Sequence, residues 1–437
     1  MKRSSFRVFA RNGDRFPERR MTYIEFFDKI ASENVCACLT YAPERVIYIG
    51  DDKGLMNKHI RRYQKIFDDK EPKIDFDCRS VSRSKLNEVV ALLSELVETY
   101  DDCVFDITGG DEMYILALGI VTSRYPDKNI QIHKFNLRNN AIYDCDTDGV
   151  TIFRQTPKLS VDENIRIYGG EVSYGTVDED KTYRWDMNAD FACDLEQMWE
   201  ICIKSGRAWN VQIGVFAAME EIGCKSEDGL TLVAPMLAVE KYLHEHSGSY
   251  VKDVRILSEL QRRGLIPYFS DADENAVTVT FKNKQVKKCL VMAGRVLEMK
   301  IFRTAKELRE KDGVPVYNDA LNGVLIDWDG ELHEEEAGKF YDTENEIDVL
   351  LMHDVVPVFI SCKNGKVPVE ELYKLETVAE RFGGPYAKKV LVATALKNVK
   401  EPEYIRNRAK DMNVKLVEID KETTDKELAQ TLRNLWR

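Results

Sequence analysis

Two apolar runs in the C-terminal third carry an acid and an amine at a spacing that could support catalysis. Residues 345–366 have the sequence NEIDVLLMHDVVPVFISCKNGK, in which a short polar turn separates two strand-like stretches. In an antiparallel hairpin centred on this turn, Asp348 lies opposite Ser361. Because side chains alternate faces along a strand, Ser361 and Lys363 point the same way and Cys362 points the other way. The spacing therefore predicts a carboxylate, a hydroxyl and an ammonium on one patch.

Such a patch suits the hydrolysis of a phosphodiester. This reaction needs a metal ion to activate water and neutralise charge on the phosphoryl oxygens, with a cation near the attacking water. We expect Asp348 to hold Mg²⁺ or Mn²⁺ and Lys363 to serve as the cation. Glu298, on a preceding helix, is the expected second carboxylate, and the backbone carbonyl of Cys362 is a further oxygen ligand. The alternative is a structural hairpin with Lys363 extending to solvent, although an unpaired inward carboxylate would then be costly.

Alternating helices and strands over residues 285–437 are predicted to position this patch. A helix over CLVMAGRVLEMKIFRTAKELRE precedes the strands VLIDW, EIDVLLM and VPVFISCK. A second helix runs from Val369 to Arg381 and ends at Gly383-Gly384, a typical helix stop. The strands KVLVAT and KLVEID and a closing helix follow. The order is helix with acid, strand with acid, strand with lysine, then helix.

From residue 21 to about 150, short apolar strands alternate with amphipathic helices. The strands are TYIEFF, RVIYIG, KIDFD, CVFDIT and IQIHKF, and helical spacing is clearest from Ser82 to Tyr100. This alternation predicts a Rossmann-like parallel sheet with helices on both faces. After the fourth strand, FDITGGDEMY passes through two glycines into a helix whose N-terminal N–H groups suit a phosphate, although the glycines can serve geometry alone. The turn is not G-x-G-x-x-G, so a dinucleotide cofactor is disfavoured.

The rest of the chain has weaker patterns. Within residues 151–284, VRILSELQRRGLIPYFSDADENAVTVTFKN predicts a helix and a hairpin with the turn SDADEN, an order that resembles a winged-helix element. A spacer or dimer-contact module is the alternative for this linker region. Residues 1–20 form a basic arm, either flexible or in contact with substrate phosphates.

Length, composition and charge limit the classes of protein to which the chain could belong. A chain of 437 residues should form two or three domains, and a net charge of −12 argues against a broad basic face that coats nucleic acid. The ten cysteines form no C-x-x-C pairs, so we expect reduced thiols. The N-terminus lacks the apolar run of a signal peptide, and no segment is apolar enough to span a membrane. We therefore expect a cytoplasmic protein.

The C-terminal pattern resembles the PD-(D/E)xK nuclease superfamily, which has an acid on one strand and a (D/E)-x-K triplet on the next. Asp348 matches the first element, and residues 361–363, Ser-Cys-Lys, match the triplet with serine in place of the usual carboxylate. The resemblance implies either weaker metal binding or a transfer of the missing role to Glu298 and to Glu376 on the following helix.

Together with the T-G-G turn, the chain from about Met21 onward resembles the CRISPR-associated CARF nucleases. The resemblance implies a CARF domain that dimerises, binds cyclic tetra-adenylate across its two-fold axis and activates a C-terminal nuclease in type III CRISPR antiviral defence. It implies ring contacts from the turn after the fourth strand, the loop after the first and an acid after the second. These residues are Thr108, Gly109, Gly110, Asp111, Ser32, Asn34 and Asp51.

Some of these assignments have equal alternatives. Ser32 and Asn34 are equally expected as helix N-caps, and Asp51 could contact a ribose hydroxyl or be a solvated loop acid. The expected fold is α/β: a Rossmann-like CARF domain over 21–150, a linker or winged-helix region over 151–284 and a restriction-endonuclease-like domain over 285–437.

The expected function is that of a homodimeric, Mg²⁺- or Mn²⁺-dependent endonuclease activated by cyclic oligoadenylate. Its substrate could be single-stranded RNA, single-stranded DNA or duplex DNA that it nicks. One alternative is a ligand-responsive transcription regulator that uses the winged helix. Another is a ring nuclease that degrades cyclic oligoadenylate in the sensor domain.

Overall fold

The computed structural model describes residues 21–68, 70–136, 140–146, 149–153, 157–246, 252–273, 276–330, 344–365, 367–394, 396 and 402–437. The basic segment 1–20 lies outside the described residues. The described chain divides into two compact units, the first with residues 21–29, 33–60 and 67–153 and the second with 30–32, 61–66 and 157–437. No helix in these ranges is long and apolar enough to cross a membrane.

The first unit is built on a seven-stranded sheet in the order β3-β2-β1-β4-β5-β6-β7. Its strands are β1 (Thr22–Phe26), β2 (Arg45–Gly50), β3 (Asp75–Ser80), β4 (Asp102–Asp106), β5 (Asn129–Asn136), β6 (Ala141–Asp146) and β7 (Gly149–Phe153). The first five strands run parallel, and β6 and β7 continue the sheet in antiparallel pairing. The parallel part confirms the predicted Rossmann-like fold, whereas the sequence pattern did not predict β6 and β7.

Helices connect the parallel strands of this sheet. They are α1 (Cys36–Tyr41), α2 (Lys53–Phe67), α3 (Leu86–Thr99) and α4 (Glu112–Arg124). On one face, Ile24, Phe26 and Phe105 form a core with the buried sides of α3 and α4. Because parallel strands end at the same edge of a sheet, the loops after β1, β2 and β4 gather there.

The second unit begins with helices and a small antiparallel sheet. Its first elements are α5 (Val161–Ile167), β8 (Glu171–Val172), α6 (Ala189–Ser205), α7 (Arg207–Ile222), β9 (Cys224–Lys225), β10 (Thr231–Pro235), α8 (Met236–Glu245), α9 (Val254–Arg262), β11 (Tyr268–Asp273), β12 (Ala276–Thr280) and α10 (Lys284–Leu290). The small sheet has the order β11-β12-β10-β9. Helix α9 followed by the β11–β12 pair confirms the predicted helix and hairpin, although β11 extends into the predicted turn SDADEN, of which residues 274–275 lie outside the described residues.

A six-stranded mixed sheet, in the order β17-β16-β15-β14-β13-β8, forms the rest of this unit. The remaining elements are α11 (Arg295–Glu307), β13 (Asp319–Asp327), β14 (Glu344–His353), β15 (Val356–Lys363), α12 (Glu370–Gly383), a 3-10 turn (Gly384–Tyr386), β16 (Lys388–Ala393), α13 (Pro402–Asp411), β17 (Val414–Glu418) and α14 (Asp425–Arg433). Strands β15, β16 and β17 are parallel, and β13, β14 and β15 are antiparallel. The predicted single helix before β13 is wrong, because α10 ends at Leu290 and α11 begins after Gly294.

Candidate functional site

The β14–β15 hairpin sets the geometry of the candidate metal centre. Its register pairs Val349 with Ile360, one step from Asp348 and Ser361, so the predicted register is confirmed. Asp354 adopts the left-handed backbone conformation, with φ of 56°, in the two-residue turn between the strands. An aspartate tolerates this conformation better than most residues because its short side chain can bond locally.

Asp348 has three polar neighbours on β15. Its Oδ2 atom accepts hydrogen bonds from Ser361 Oγ at 3.2 Å and from the backbone N–H of Cys362 at 2.5 Å. Lys363 Nζ lies 3.8 Å from the same oxygen and 2.7 Å from Glu371 Oε2 at the start of α12. The ammonium is therefore held between two carboxylates, and the Asp348 carboxylate is fixed by donors on the neighbouring strand.

Three carboxylates converge at this point. Glu298, Glu346 and Asp348 each have an oxygen within 4.8 Å of the others. Glu298 comes from α11 and is only 6% exposed. Arg295, one helical turn earlier, lies 2.8 Å from Glu298 Oε2 and 3.4 Å from Glu346 Oε1. One buried guanidinium thus links two members of the acidic cluster.

Two acids of this site, Glu346 and Glu371, were not predicted from the sequence, and the predicted Glu376 lies elsewhere. Glu346 stands two residues before Asp348, so strand alternation puts both on the same face, and this E-I-D spacing could have identified it. Glu371 lies beside Lys363 because the first turn of α12 follows β15 closely. Glu376, the expected substitute for the missing carboxylate, instead pairs with Lys389 of β16 at 2.7 Å.

Burial and mutual repulsion perturb the acidic cluster. Burial raises the pKa of Glu298 to about 8, with Asp348 and Glu346 adding to the rise and Arg295 opposing it. Burial also raises the pKa of Asp348, against the influence of Lys363 and the N–H of Cys362. Burial alone would lower the pKa of Lys363, but Asp348 and Glu371 outweigh it and raise that pKa. Without a cation, ionising all the carboxylates together is costly, and a bound divalent ion would remove that cost.

The donor set fits a hard divalent cation. Glu298, Glu346 and Asp348 offer carboxylate oxygens, which Mg²⁺ and Mn²⁺ prefer. Lys363 C=O accepts a hydrogen bond from Thr394 N on the β16 side at 3.1 Å. Since the backbone polar groups of successive strand residues point to opposite sides, the carbonyl of Cys362 faces β14, where Asp348 lies. The carbonyl that sequence analysis assigned as a metal ligand is therefore on the same side as the cluster.

The turn after β4 needs its glycines for close packing. A Cβ atom added to Gly109 would lie 2.6 Å from Asp28 Cβ, and one added to Gly110 would lie 2.4 Å from Phe26 Cβ. Gly110 also has φ of 89°, a conformation that favours glycine. Thr108 Oγ1 accepts a hydrogen bond from the N–H of Phe135 at 2.6 Å. The turn therefore packs closely against the end of β1 and is hydrogen-bonded to β5.

The loop after β1 is closed by Asn34. Its Oδ1 accepts from the N–H of Asp28 at 2.9 Å, and its Nδ2 donates to the Asp28 carbonyl at 2.7 Å. Ser32 and Asn34 are both buried. The alternative that either residue caps α1 is wrong, since the N-cap is Val35 and no side chain bonds there. Asn34 fixes the loop through the backbone of Asp28 instead.

Two acids at this edge share one arginine that sequence analysis did not identify. Arg83 lies 3.2 Å from Asp51 Oδ2 and 3.4 Å from Asp111 Oδ2. Asp111 is also the N-cap of α4, where Oδ1 accepts from the N–H of Met113 at 3.0 Å. The Arg83 side chain is 61% exposed. The edge therefore combines helix N–H groups with a solvent-accessible cation.

These two units define the fold: a Rossmann-like α/β domain with a mostly parallel sheet, and a mixed α/β domain that carries an acidic cluster. No family model and no curated protein matches the chain. Solved structures do share its fold. Protein VC1899 from Vibrio cholerae is 16% identical with a TM-score of 0.66, over 95% of this chain and 97% of that chain.

A second solved structure is Can2 from Sulfobacillus thermosulfidooxidans in complex with cyclic tetra-adenylate. It is 14% identical with a TM-score of 0.64, over 95% of this chain and 99% of that chain. A type III CRISPR defence DNA nuclease activated by cyclic oligoadenylate is 14% identical over 88% of this chain and 47% of that chain, but its TM-score of 0.45 supports no inference. The predicted resemblance is confirmed at the level of the fold.

Proposed function

We propose that this protein is a metal-dependent nuclease switched on by cyclic oligoadenylate. The observation that carries the proposal is the convergence of Glu298, Glu346 and Asp348 beside the ammonium of Lys363. A Mg²⁺ or Mn²⁺ ion held by these oxygens would supply an activated water and neutralise charge on a phosphate. Hydrolysis of a nucleic-acid phosphodiester is a reaction that uses both a metal held by carboxylates and a neighbouring cation.

The protein's own side chains divide the remaining work. Lys363 orients the attacking water and stabilises negative charge on the phosphoryl oxygens. Glu371, at 2.7 Å, is a positioning residue that holds the lysine beside the cluster. Ser361 donates to Asp348 and fixes the direction of that carboxylate. A fixed geometry matters because misplaced groups lose much of the rate advantage of pre-orientation.

The carboxyl edge of the first sheet is the proposed site for the ring. The Thr108 N–H already donates to Asp106 Oδ1 at 2.7 Å, so the ring phosphates would meet the N–H groups of Gly109 and Gly110 and the guanidinium of Arg83. Asp51 and Asp111 hold that guanidinium in place. Can2, which has the same fold, was solved with cyclic tetra-adenylate, and this supports a ring of that class as the activator.

The exposed face of α4 is the proposed dimer contact. Ile115 and Leu116 are 40% and 53% exposed, and a Cβ added to Gly119 would meet no atom within 4 Å. These residues line a shallow apolar depression with Ile120. Because α4 starts at the ligand turn, a second copy packed on this face would bring two turns together across a two-fold axis. A Leu116→Glu variant should sediment as a monomer where the parent sediments as a dimer, and a parent that is monomeric at all concentrations would contradict this contact.

One cleavage experiment tests the function. Labelled single-stranded RNA, single-stranded DNA and supercoiled plasmid are incubated with the protein and Mn²⁺, with and without cyclic tetra-adenylate. Asp348→Ala and Lys363→Ala are run in parallel, with thermal unfolding to verify that each variant is folded. Ring-dependent cutting that both variants abolish supports the proposal, and the cleaved polymer identifies the substrate.

Other outcomes point to other functions. Cutting that survives in both variants would show that the centre lies elsewhere. Sequence-specific DNA binding without cutting would favour a transcription regulator that uses α9 and the β11–β12 hairpin. Loss of the ring itself, in a reaction that Asp348→Ala does not affect, would favour a ring nuclease.

A further inference from the structure

A basic cleft of about 550 Å³ lies where β16 and β17 begin, beside the end of α13. Among the described residues that line it, one is acidic, Glu418, and six are cationic. The cationic residues are Lys388, Lys389, Arg406, Lys410, Lys415 and Arg437. The cleft thus concentrates positive charge on a chain whose net charge is −12.

Part of this charge is already balanced. Lys389 pairs with Glu376 at 2.7 Å, and Arg406 pairs with Glu418 at 2.8 Å. Lys388, Lys410 and Lys415, in contrast, form no ion pair with a carboxylate in the described part of the chain, and Lys415 Nζ donates to the carbonyl of Asn434 at 3.2 Å. Three ammonium groups therefore remain to attract an anion into the cleft.

The lining also indicates which part of a nucleic acid could bind. Its described uncharged residues are aliphatic or amide: Ala387, Ala409, Asn413, Val414, Leu416 and Leu435. The described lining contains no aromatic ring on which successive bases could stack. Lysines act on phosphates as flexible point charges. The cleft thus suits a phosphate backbone without selecting a base sequence.

The cleft lies at the end of the sheet opposite to the acidic cluster. Lys363, beside Asp348, pairs in register with Ala393 at the end of β16, whereas Lys388 begins that strand. Five residue steps of about 3.3 Å separate the two ends by about 17 Å. Along the axis of a B-form duplex each strand carries one phosphate per about 3.4 Å, so for a duplex this distance corresponds to about five base pairs.

We infer that Lys388, Lys410 and Lys415 form a backbone-binding subsite that holds the nucleic-acid substrate about 17 Å from the cutting centre. This inference rests on the proposed nuclease function and adds to it a second, sequence-independent contact. Such a contact would make the protein prefer polymers long enough to reach both places.

The test measures binding without cutting. The full chain carrying Asp348→Ala is titrated, without divalent metal, into a fluorescent 40-nucleotide DNA and its RNA counterpart over a series of salt concentrations. A triple variant, Lys388→Ala with Lys410→Ala and Lys415→Ala, is compared with a control triple at exposed lysines elsewhere in the second unit: Lys158→Ala, Lys311→Ala and Lys426→Ala. Both triples remove the same charge.

We expect the cleft triple to lower the slope of log K against log salt by about 2 to 3 and to weaken binding at least tenfold at about 0.1 M salt. The control triple should leave both quantities near the parent values. Equal losses in the two triples, or no loss in either, would overturn the inference. Displacement of the DNA by inorganic phosphate at an equal concentration of charges would also overturn it, because the cleft would then be a small-anion site. Displacement by polyglutamate at an equal concentration of charges would do the same, because the cleft would then be a contact for acidic protein. Since no step requires cutting, failure of the nuclease proposal would appear separately, as absence of cleavage with Mn²⁺.

Discussion

Glu346 offers the sharpest test of the proposed metal centre. Glu346→Gln keeps the size of the side chain and removes its charge. Because the carboxylate lies within 4.8 Å of Glu298 and Asp348, it should contribute directly to ion binding. We expect a large loss of metal affinity and a smaller loss of rate once metal is saturating, since Lys363 and the other two carboxylates remain.

The size of the effect follows from charge and distance. At an effective dielectric constant of about 20, a divalent ion and a carboxylate about 4 Å apart attract each other by about 8 kcal/mol. Dehydration of both groups offsets most of this attraction. A net loss of about 2 to 3 kcal/mol corresponds to a Mn²⁺ activation constant that is weaker by about 30- to 150-fold.

The assay is the initial rate of cleavage at saturating ring, titrated with Mn²⁺, beside calorimetric measurement of ion binding without substrate. The matched control is Glu344→Gln, because Glu344 is on the same strand but accepts from Ser173 Oγ at 3.0 Å. We expect the activation constant of this control to stay within about threefold of the parent. An unchanged constant in Glu346→Gln, or equal shifts in the two variants, would refute the assignment of Glu346 to the metal site.

Three further predictions concern Lys363, the proposed ring site and the core of the first unit. Lys363→Met should lower kcat by about 100-fold or more without recovery at high Mn²⁺, and recovery would mean that the lysine serves only metal binding. Arg83→Ala should raise the ring concentration needed for half-maximal activation by about 10- to 100-fold, as expected for the loss of a charged hydrogen bond. The cleavage rate at saturating ring should stay constant. An unchanged concentration for half-maximal activation would show that Arg83 does not belong to the ring site. Burial raises the pKa of Asp106 to about 6, whereas the same carboxyl in the unfolded chain loses its proton near pH 3.9. Between these two values the folded first unit holds a proton that the unfolded chain has released. The free energy of unfolding should therefore fall by up to about 3 kcal/mol as pH rises from about 4 to 6. Urea unfolding of Asp106→Asn should lose this part of the pH dependence, and a variant with the parent's pH profile would contradict it.

The β14–β15 hairpin was predictable because the turn and the alternation of side chains, which together determine its register, are both local features of the sequence. The turn fixed the centre of the register, and strand alternation then assigned a face to each residue around Asp348. The parallel sheet was predictable for the same reason, since each strand is a short apolar run between helical patterns. The β6–β7 pair was not, because its residues, such as Asp144 and Asp146, lack the apolar continuity of the other strands.

The partners of the site depend on tertiary packing and were harder to predict. Glu371 and Glu376 both lie on α12, and the phase of that helix decides which one reaches Lys363. The sequence alone does not determine which side of α12 faces Lys363. Arg83 and Asp111 are 28 residues apart, and only the convergence of strand ends brings them together. Asn34 has the side chain of a helix cap, yet the loop that it closes begins six residues earlier, at Asp28.

In the proposed metal centre, charge balance gives a reason for serine at position 361. With all groups ionised, four carboxylates, from Glu298, Glu346, Asp348 and Glu371, face two cations, Arg295 and Lys363, and the sum is −2. One divalent cation would neutralise this set. A carboxylate at position 361 would lie where the Ser361 hydroxyl stands, 3.2 Å from Asp348 Oδ2, and would leave the buried centre with a net negative charge even when the ion is bound. Because Glu346 supplies the third carboxylate from β14, the hydroxyl at position 361 both avoids that repulsion and orients Asp348.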